Sequence, residues 1–595
     1  MALPDDMMSN ARRLIAAGKL EEARTVLAEL VRQSPRHTEA LHQLGYIDLE
    51  TGRHAEAEAW LRTGLQAAPD SVEMRTNLAL VLIALMRSAE AEPLLREAIG
   101  RSPSAAQIHL ILAKALHALG RLDEAIEALQ QAVTLDPRHA IAHLERANAL
   151  AEQGRVHESL EHFRAAIALD PSLEMSFTNR LMVLNYIQTD PRLMLEAHRN
   201  YGDALIASAG PTSAHTNDRN AERIIRVGLI SADLRQHSCS HFLEPLLARL
   251  DRSRFELTCY FNFASEDAVT GRLKALVPRW RSIWQVSAPD AAAMIRADQI
   301  DILIECAGHT DLSRLDIMAI KPAPVQGTYL GYPNTTGLRT IDFRVVDSIS
   351  DPPAPAPALG GDSDRRCVER LARIDPCAWC YRPNAEAPDV APPPLEKNGF
   401  ITYGSFNNLS KYSHATIDLW ARVLNRVPGS RLLLKNRWIG DTRTADRVRQ
   451  RFAACGVDPG RIDAAPYVRG IREHLELYAK IDLQLDTFPY HGTTTTCESF
   501  WQGVPVATLT GGVHAARVGT SLLHAVGLPE LAPETPKGFV DAAFSLGQDR
   551  TRLAEIRAGL RDRMSRSPLC DEAAFAKRFG DMLRAEFARW AGSKA

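Results

Sequence analysis

The chain has 595 residues but little cysteine, almost no net charge and no long apolar run, and each shortage removes a class of protein. Nine scattered cysteines fit a reducing compartment and cannot staple a chain of this length, so a packed core has to hold it. Their one cluster, Cys377 and Cys380 in CAWC with Cys367 nearby, lacks a well-spaced fourth ligand, and packed thiols are expected there in place of zinc. The 70 basic and 72 acidic residues nearly cancel, so no global field draws the chain to nucleic acid or to anionic lipid. Any phosphate site must be local. No run approaches the length of a membrane span, and the opening MALPDDMMSN has no basic segment leading into an apolar one, which predicts a soluble, cytoplasmic protein. The G-x-G-x-x-G fingerprint is missing from the first strand turn and no G-x-x-x-x-G-K-[ST] occurs, which argues against nicotinamide, flavin and P-loop chemistry.

The first third holds a repeat. Pro35, Pro69, Pro103, Pro137 and Pro171 recur at a fixed interval, with Gly18, Gly52, Gly120 and Gly154 in the same register and Met86 in the one gap. Ala23, Ala57, Ala91 and Ala125 continue as Ser159, and Leu27, Leu61, Leu95 and Leu129 as Phe163. Gly45, Ala79, Ala113 and Ala147 form a second small column. This period and pattern belong to the tetratricopeptide repeat, a helix pair that buries its apolar face only against its neighbours. About five repeats are expected over 8–190, with a concave face suited to extended peptide, followed by a helical segment and flexible linker over 191–222.

From Arg226 onward, short β-rich runs alternate with helical stretches. RVGLIS, ELTCYFN, IDILIEC, VQGTYLG and FRVVD make one set, and FITYGSF, SRLLLKN, IDLQLDT and VPVATL a second. They predict two parallel-sheet domains over 223–385 and 398–595, so the whole is an α-helical solenoid followed by a pair of α/β domains. The proline-rich stretch between the sets is a poor place for regular structure. Its D-x-D, Asp362-Ser363-Asp364, has no strand beside it and is not read as a metal site.

Ligands of such sheets bind beyond the carboxyl ends of the strands, which directs attention to four places. They are ADLRQHSCSHF, with His237 and His241; GYPNTTGL, with Gly331, Pro333 and Gly337; NNLSKY, with Asn407, Asn408 and Lys411; and YHGTTTTCESFW. In the last, four threonines stand where a strand turns into a helix. Helix N-termini carry unpaired N–H groups and partial positive charge, so Thr494–Thr496 can hold a diphosphate while Glu498, one turn on, accepts a ribose diol.

On KPAPVQGTYLGYPNTTGL, FNNLSKY, LDTFPYHGTTTTCESFWQGVPVATL and VHAARVGTSLL, the chain resembles the O-GlcNAc transferase and SPINDLY glycosyltransferase family, which joins tetratricopeptide repeats to a GT-B catalytic region. The resemblance implies His237 as the base beside acceptor and sugar, and Lys411 as the lysine on the leaving diphosphate. It implies Thr494 and Thr495 on phosphate, Glu498 on ribose in place of an aspartate, and His474 at the base; Asn408, Thr493, Thr496, Gly331 and Pro333 complete the donor set. Ile471 stands where the animal pattern has a lysine contacting uracil, and the column that holds acceptor-binding asparagines reads Gln43, Asn77, Ile111, Glu145 and Asn179. The implied reaction is an inverting, metal-independent transfer without a cofactor, from a nucleotide sugar to Ser or Thr hydroxyls of a protein acceptor lying along the concave face. UDP-GlcNAc is the first donor implied. GDP-fucose is the alternative, and a catalytically inactive repeat scaffold that binds nucleotide is a third reading. Nucleic acid and membrane are not among the expected partners; a homodimer is.

Overall fold

The computed structural model describes residues 4–354 and 362–593; within the proline-rich stretch, 355–361 lie outside the described residues. The chain packs as two units, Met1–Ser176 with Asp441–Thr444, and Phe177–Gly440 with Ala445–Ala595.

The first unit contains five helix pairs. The leading helices are Pro4–Ala16, Thr38–Glu50, Val72–Ala84, Ala106–Ala118 and Ala140–Glu152, and their partners are Leu20–Gln33, His54–Ala67, Ser88–Arg101, Leu122–Leu135 and Val156–Leu169. The repeated small residues set how closely the helices cross. A Cβ on Gly45 would come within 2.4 Å of Leu61 Cγ, and Ala79, Ala113 and Ala147 are all buried. In the acceptor column Ile111 is buried, and Asn77 Nδ2 lies 3.0 Å from His42 Nε2.

The glycine column answers to backbone conformation. Gly18, Gly52, Gly120 and Gly154 close the turns inside their pairs with φ between 72° and 79°. A side chain at Gly18, Gly52 or Gly120 would meet nothing within 4 Å, so space is not the reason for glycine there. Met86 holds the same turn at φ 61° with its side chain 88% exposed, taking the left-handed strain without gaining contacts. Met86→Gly is therefore expected to raise stability by about 1 kcal/mol, read as a higher urea midpoint. A lower midpoint would mean that the methionine side chain contributes more than its exposure allows.

The second unit carries two parallel sheets. The first is built from β1 (Ile225–Ser231), β2 (Phe255–Phe261), β3 (Arg279–Ser282), β4 (Ile302–Glu305), β5 (Val325–Thr328), β6 (Phe343–Val346) and β7 (Arg370–Arg373), in the order β3-β2-β1-β4-β5-β6-β7. The second is built from β8 (Thr402–Ser405), β9 (Arg431–Lys435), β10 (Ile462–Ala465), β11 (Leu483–Leu485) and β12 (Val506–Ala507), in the order β10-β9-β8-β11-β12. Each order reverses once, between β1 and β4 and between β8 and β11, and the crevice at such a reversal is where doubly wound sheets take ligands. Two sheets of this kind in succession are the GT-B fold.

All nine strands expected from apolar runs are present. The three that were not expected, β3, β7 and β10, lie at sheet edges. β3 reads Arg-Trp-Arg-Ser and is largely exposed, because an edge strand packs on fewer neighbours and needs no apolar run. The last helix, Glu572–Gly592, packs on the first sheet, with Phe579 edge-on to Tyr329 at 5.2 Å.

Candidate active site

The reversal between β8 and β11 brings two of the four sequence regions together. After β11 the chain turns through Thr487–Thr493 into the helix Thr494–Trp501. Asp486, buried at the end of that strand segment, shapes the turn: Oδ1 accepts from Thr487 N at 2.9 Å and Gly492 N at 2.8 Å, and Oδ2 accepts from Thr508 Oγ1 at 2.9 Å. Gly492 is required by crowding, since a Cβ there would lie 2.4 Å from Thr495 Oγ1 and 3.1 Å from Asn407 Oδ1. The helix start is open. Thr493 makes no capping hydrogen bond, and the hydroxyls of Thr493 and Thr494 have no partner among the described residues. Thr496 Oγ1 is turned back onto Gly492 O at 3.1 Å.

Lys411, from the short helix after β8, reaches this turn. Its Nζ donates to His491 O at 2.8 Å, lies 3.5 Å from Asn407 Oδ1 and stands 4.2 Å from the Tyr490 ring centroid. Among the described residues no carboxylate oxygen lies within ion-pair distance of it. Burial pulls its pKa down to about 8, against the opposing charge of Asp486. His491 is held by Gly519 N donating to Nδ1 at 3.1 Å, so its proton sits on Nε2, facing Leu509 O at 3.0 Å. The amide joining Lys411 to the threonines belongs to Asn407, whose Oδ1 also accepts from Thr495 Oγ1 at 3.3 Å; Asn408 is exposed.

One turn into the helix, Glu498 anchors a polar chain. Its Oε2 accepts from His474 Nε2 and from Tyr478 Oη, both at 3.1 Å, and Lys435 Nζ lies 2.9 Å from His474 Nδ1. Burial alone would push the Glu498 carboxyl up, but the hydrogen bond and charge of His474 outweigh it and hold the group below its usual range. Oε1 stays available to a hydroxyl donor. Lys435 and Tyr478 were not singled out from sequence. Lys435 ends β9, and extending the strand-end rule to SRLLLKN would have found it.

A cavity of about 620 Å³ joins this site to the first sheet, with His237, His241, Ile471, Thr494 and Glu498 among its lining residues. His237 follows β1. Its Nδ1 accepts from Cys239 N at 3.3 Å and lies 3.4 Å from Asp233 Oδ1. Burial lowers the His237 pKa and Asp233 partly restores it. The Asp233, His237 and Cys239 donor atoms lie within 4.8 Å of one another, and burial pushes the Cys239 thiol well up, so it is a neutral thiol at pH 7. His241 Nδ1 is 3.0 Å from Arg382 O and its ring stacks on Tyr381, which ties it to the segment linking the two sheets.

The threonine turn of YPNTTGL already holds an anion, the carboxylate of Glu369, which accepts from Thr336 N at 2.7 Å and from the Thr335 and Thr336 hydroxyls. Gly331 packs against the backbone after β4, where a Cβ would lie 2.2 Å from Cys306 O, and Pro333 lines a separate cavity. Neither is among the residues lining the Thr494 cavity. Cys367, Cys377 and Cys380 are buried free thiols, with burial pushing Cys367 up to about 12.

A family model described as glycosyl transferase family 41 matches residues 206–359 and 395–579, more than half of the chain. The chain belongs to glycosyl transferase family 41. Tetratricopeptide repeat models match 14–81, 76–139 and 118–174. Among solved structures, a mutant of an O-GlcNAc transferase of Thermobaculum terrenum is 31% identical at a TM-score of 0.80, covering 87% of this chain and 98% of that one. A Solanum lycopersicum protein named "Probable UDP-N-acetylglucosamine–peptide N-acetylglucosaminyltransferase SPINDLY" is 40% identical over 422 residues, 69% of this chain. A Caenorhabditis elegans UDP-N-acetylglucosamine–peptide N-acetylglucosaminyltransferase is 26% identical over 475 residues. This family 41 chain spans 44% of the length of the tomato relative and 41% of the nematode one. Among the described residues of the family 41 chain, no helix is long and apolar enough to cross a membrane.

Proposed function

We propose that the chain transfers a sugar from a nucleoside diphosphate to Ser or Thr hydroxyls of a protein, with inversion and without a metal, inside the cell. The observation that carries this reading is Lys411: an ammonium group removed from water, without a carboxylate partner among the described residues, beside an uncapped helix start. A diphosphate supplies the missing anion. In the reaction the acceptor oxygen attacks the anomeric carbon, the bond from that carbon to the diphosphate oxygen breaks, and the electron pair leaves with the diphosphate. Lys411 and the N–H groups of Thr494–Thr496 stabilise that developing charge. Glu498 Oε1 takes a ribose hydroxyl, and the tetratricopeptide face takes the acceptor chain.

His237 is the base in this reading, and its geometry sets a condition. With Nδ1 accepting from Cys239 N, the neutral ring carries its proton on Nε2 and cannot take another there. Turning Nδ1–H toward Asp233 Oδ1, now 3.4 Å away, frees Nε2 to accept the acceptor's proton. Asp233→Asn should then lower kcat about ten- to a hundredfold with little change in donor KM, and move the acid limb of the rate profile to lower pH, because the carboxylate raises the His237 pKa. An unchanged kcat would remove Asp233 from the mechanism.

Donor binding should also follow the charge of Lys411. The group is protonated below about pH 8 and neutral above it, so nucleotide affinity should hold at neutral pH and fall by up to about tenfold per unit above pH 8. Calorimetry at pH 7, 8 and 9 checks the sign.

The relatives' names favour UDP-GlcNAc as donor. A GDP-sugar such as GDP-fucose is the second reading, supported by Ile471 on the cavity wall in place of a base-contacting lysine. Incubating the purified chain with UDP-GlcNAc, GDP-fucose and a protein acceptor, and weighing the acceptor by mass spectrometry, decides between them. Binding of both nucleotides without any mass gain on the acceptor would point to an inactive scaffold.

A further inference from the structure

The loop after β1 gathers three metal-ligating side chains of different kinds, the one such group among the described residues: Asp233, His237 and Cys239, with donor atoms all within 4.8 Å of one another. Asp233 is buried, and among the described residues its carboxylate has no basic partner except the His237 ring, at 3.4 Å. Because His237 Nδ1 accepts from Cys239 N at 3.3 Å, the ring proton is on Nε2 and no hydrogen lies between Nδ1 and Asp233 Oδ1. Two lone pairs face each other there, and a cation can bridge them.

The donors select the cation. A thiolate, an imidazole and one carboxylate suit zinc, whereas calcium and magnesium take oxygen ligands. Ligand bonds of about 2.0 to 2.3 Å put two ligands of a tetrahedral zinc about 3.3 to 3.6 Å apart, and the Asp233–His237 pair already meets that spacing. The Cys239 sulfur has to close by about 1 Å. Its thiol is neutral in the free protein and gives its proton to the buffer when it binds metal. One carboxylate and one thiolate then balance the dication, and three protein ligands leave a fourth position for water.

We propose that Asp233, His237 and Cys239 form a zinc site that blocks the base. Zinc holds the Nδ1 lone pair beside Asp233, so an Nδ1–H can no longer turn to the carboxylate and Nε2 keeps its proton. His237 then cannot take a proton from an acceptor. Zinc is an inhibitor in this scheme and no part of the transfer. The inhibition rests on the glycosyl-transfer reading; the binding does not.

Zinc and magnesium, titrated by calorimetry into the metal-free full chain, test the binding. Zinc should saturate, and bind at least about a hundredfold tighter than magnesium. Cobalt(II), a coloured stand-in for zinc, should give the near-ultraviolet charge-transfer band of a cobalt–thiolate bond. That band should vanish in Cys239→Ser and Cys239→Ala and persist in Cys455→Ser, and both Cys239 variants should bind zinc at least about tenfold more weakly. Zinc should stop sugar transfer by the parent, a chelator should restore it, and the rate of each Cys239 variant should not respond to zinc. The site is overturned if zinc does not saturate, if magnesium binds equally well, or if the band survives in both Cys239 variants. A transfer rate indifferent to bound zinc would overturn the block on the base. Zinc binding with the band, in a chain that transfers no sugar to any acceptor, would establish the site and remove the glycosyl-transfer reading instead.

Discussion

Lys411→Ala is expected to lower kcat for sugar transfer by about a thousandfold while the protein stays folded. Removing one preorganised group that meets developing negative charge typically costs about a hundred- to a thousandfold, and Lys411 reaches the turn that leads into the helix, donating to His491 O. The fold does not need it. A lysine whose folded-state pKa lies below its unfolded value weakens the native state while protonated, and that penalty fades as pH rises from about 8 toward 10.5. At neutral pH the alanine variant should melt no lower than the parent, and nucleotide should bind it more weakly. Near-normal turnover would end the assignment of Lys411 to the leaving group, whatever the donor proves to be.

Gly337→Ala should destabilise the second unit by about 3 to 5 kcal/mol. Gly337 sits at φ +83°, and its Cβ would fall 2.0 Å from the carbonyl oxygen of His198, on the helix Pro191–Ala209. The contact is reciprocal, since a Cβ on Gly202 would fall 2.1 Å from Gly337 O. These are backbone atoms in a helix, and they cannot swing aside as a side-chain end would. The helix must move off the loop, opening the core around Leu181, Tyr201, Leu338 and Ile341. Gly202→Ala, already at a helical φ, should carry the crowding but not the left-handed strain and cost about 1 kcal/mol less. Urea melts of the two variants measure both numbers, and a Gly337→Ala loss below about 1 kcal/mol would show that the helix yields freely.

Sequence carried much of the site because its signals were local. Lys411, His474, Thr494, Glu498 and His237 were legible from strand ends and from motif resemblance, and the structure gathers them around the β8–β11 reversal and the cavity beside it. The exchange of Asn408 for Asn407 turns on which of two adjacent amides faces inward, a detail of one short helix that composition does not register. The turn of Thr335 and Thr336 looked as open to an anion as the turn of Thr494. Only the arrival of Glu369, more than thirty residues later, fills it.

The amino-acid order by itself determined the repeat pitch, the strands of both sheet interiors and the position of the threonine turn proposed to hold diphosphate, because each is written in near neighbours: a 34-residue recurrence, a short apolar run, four threonines in a row. Tertiary structure decided the edge strands, the Lys435–His474–Glu498 chain and the competition between Cys239 and Asp233 for His237. Each of these joins groups through packing. Their energies come from burial and from hydrogen bonds whose partners no local period specifies.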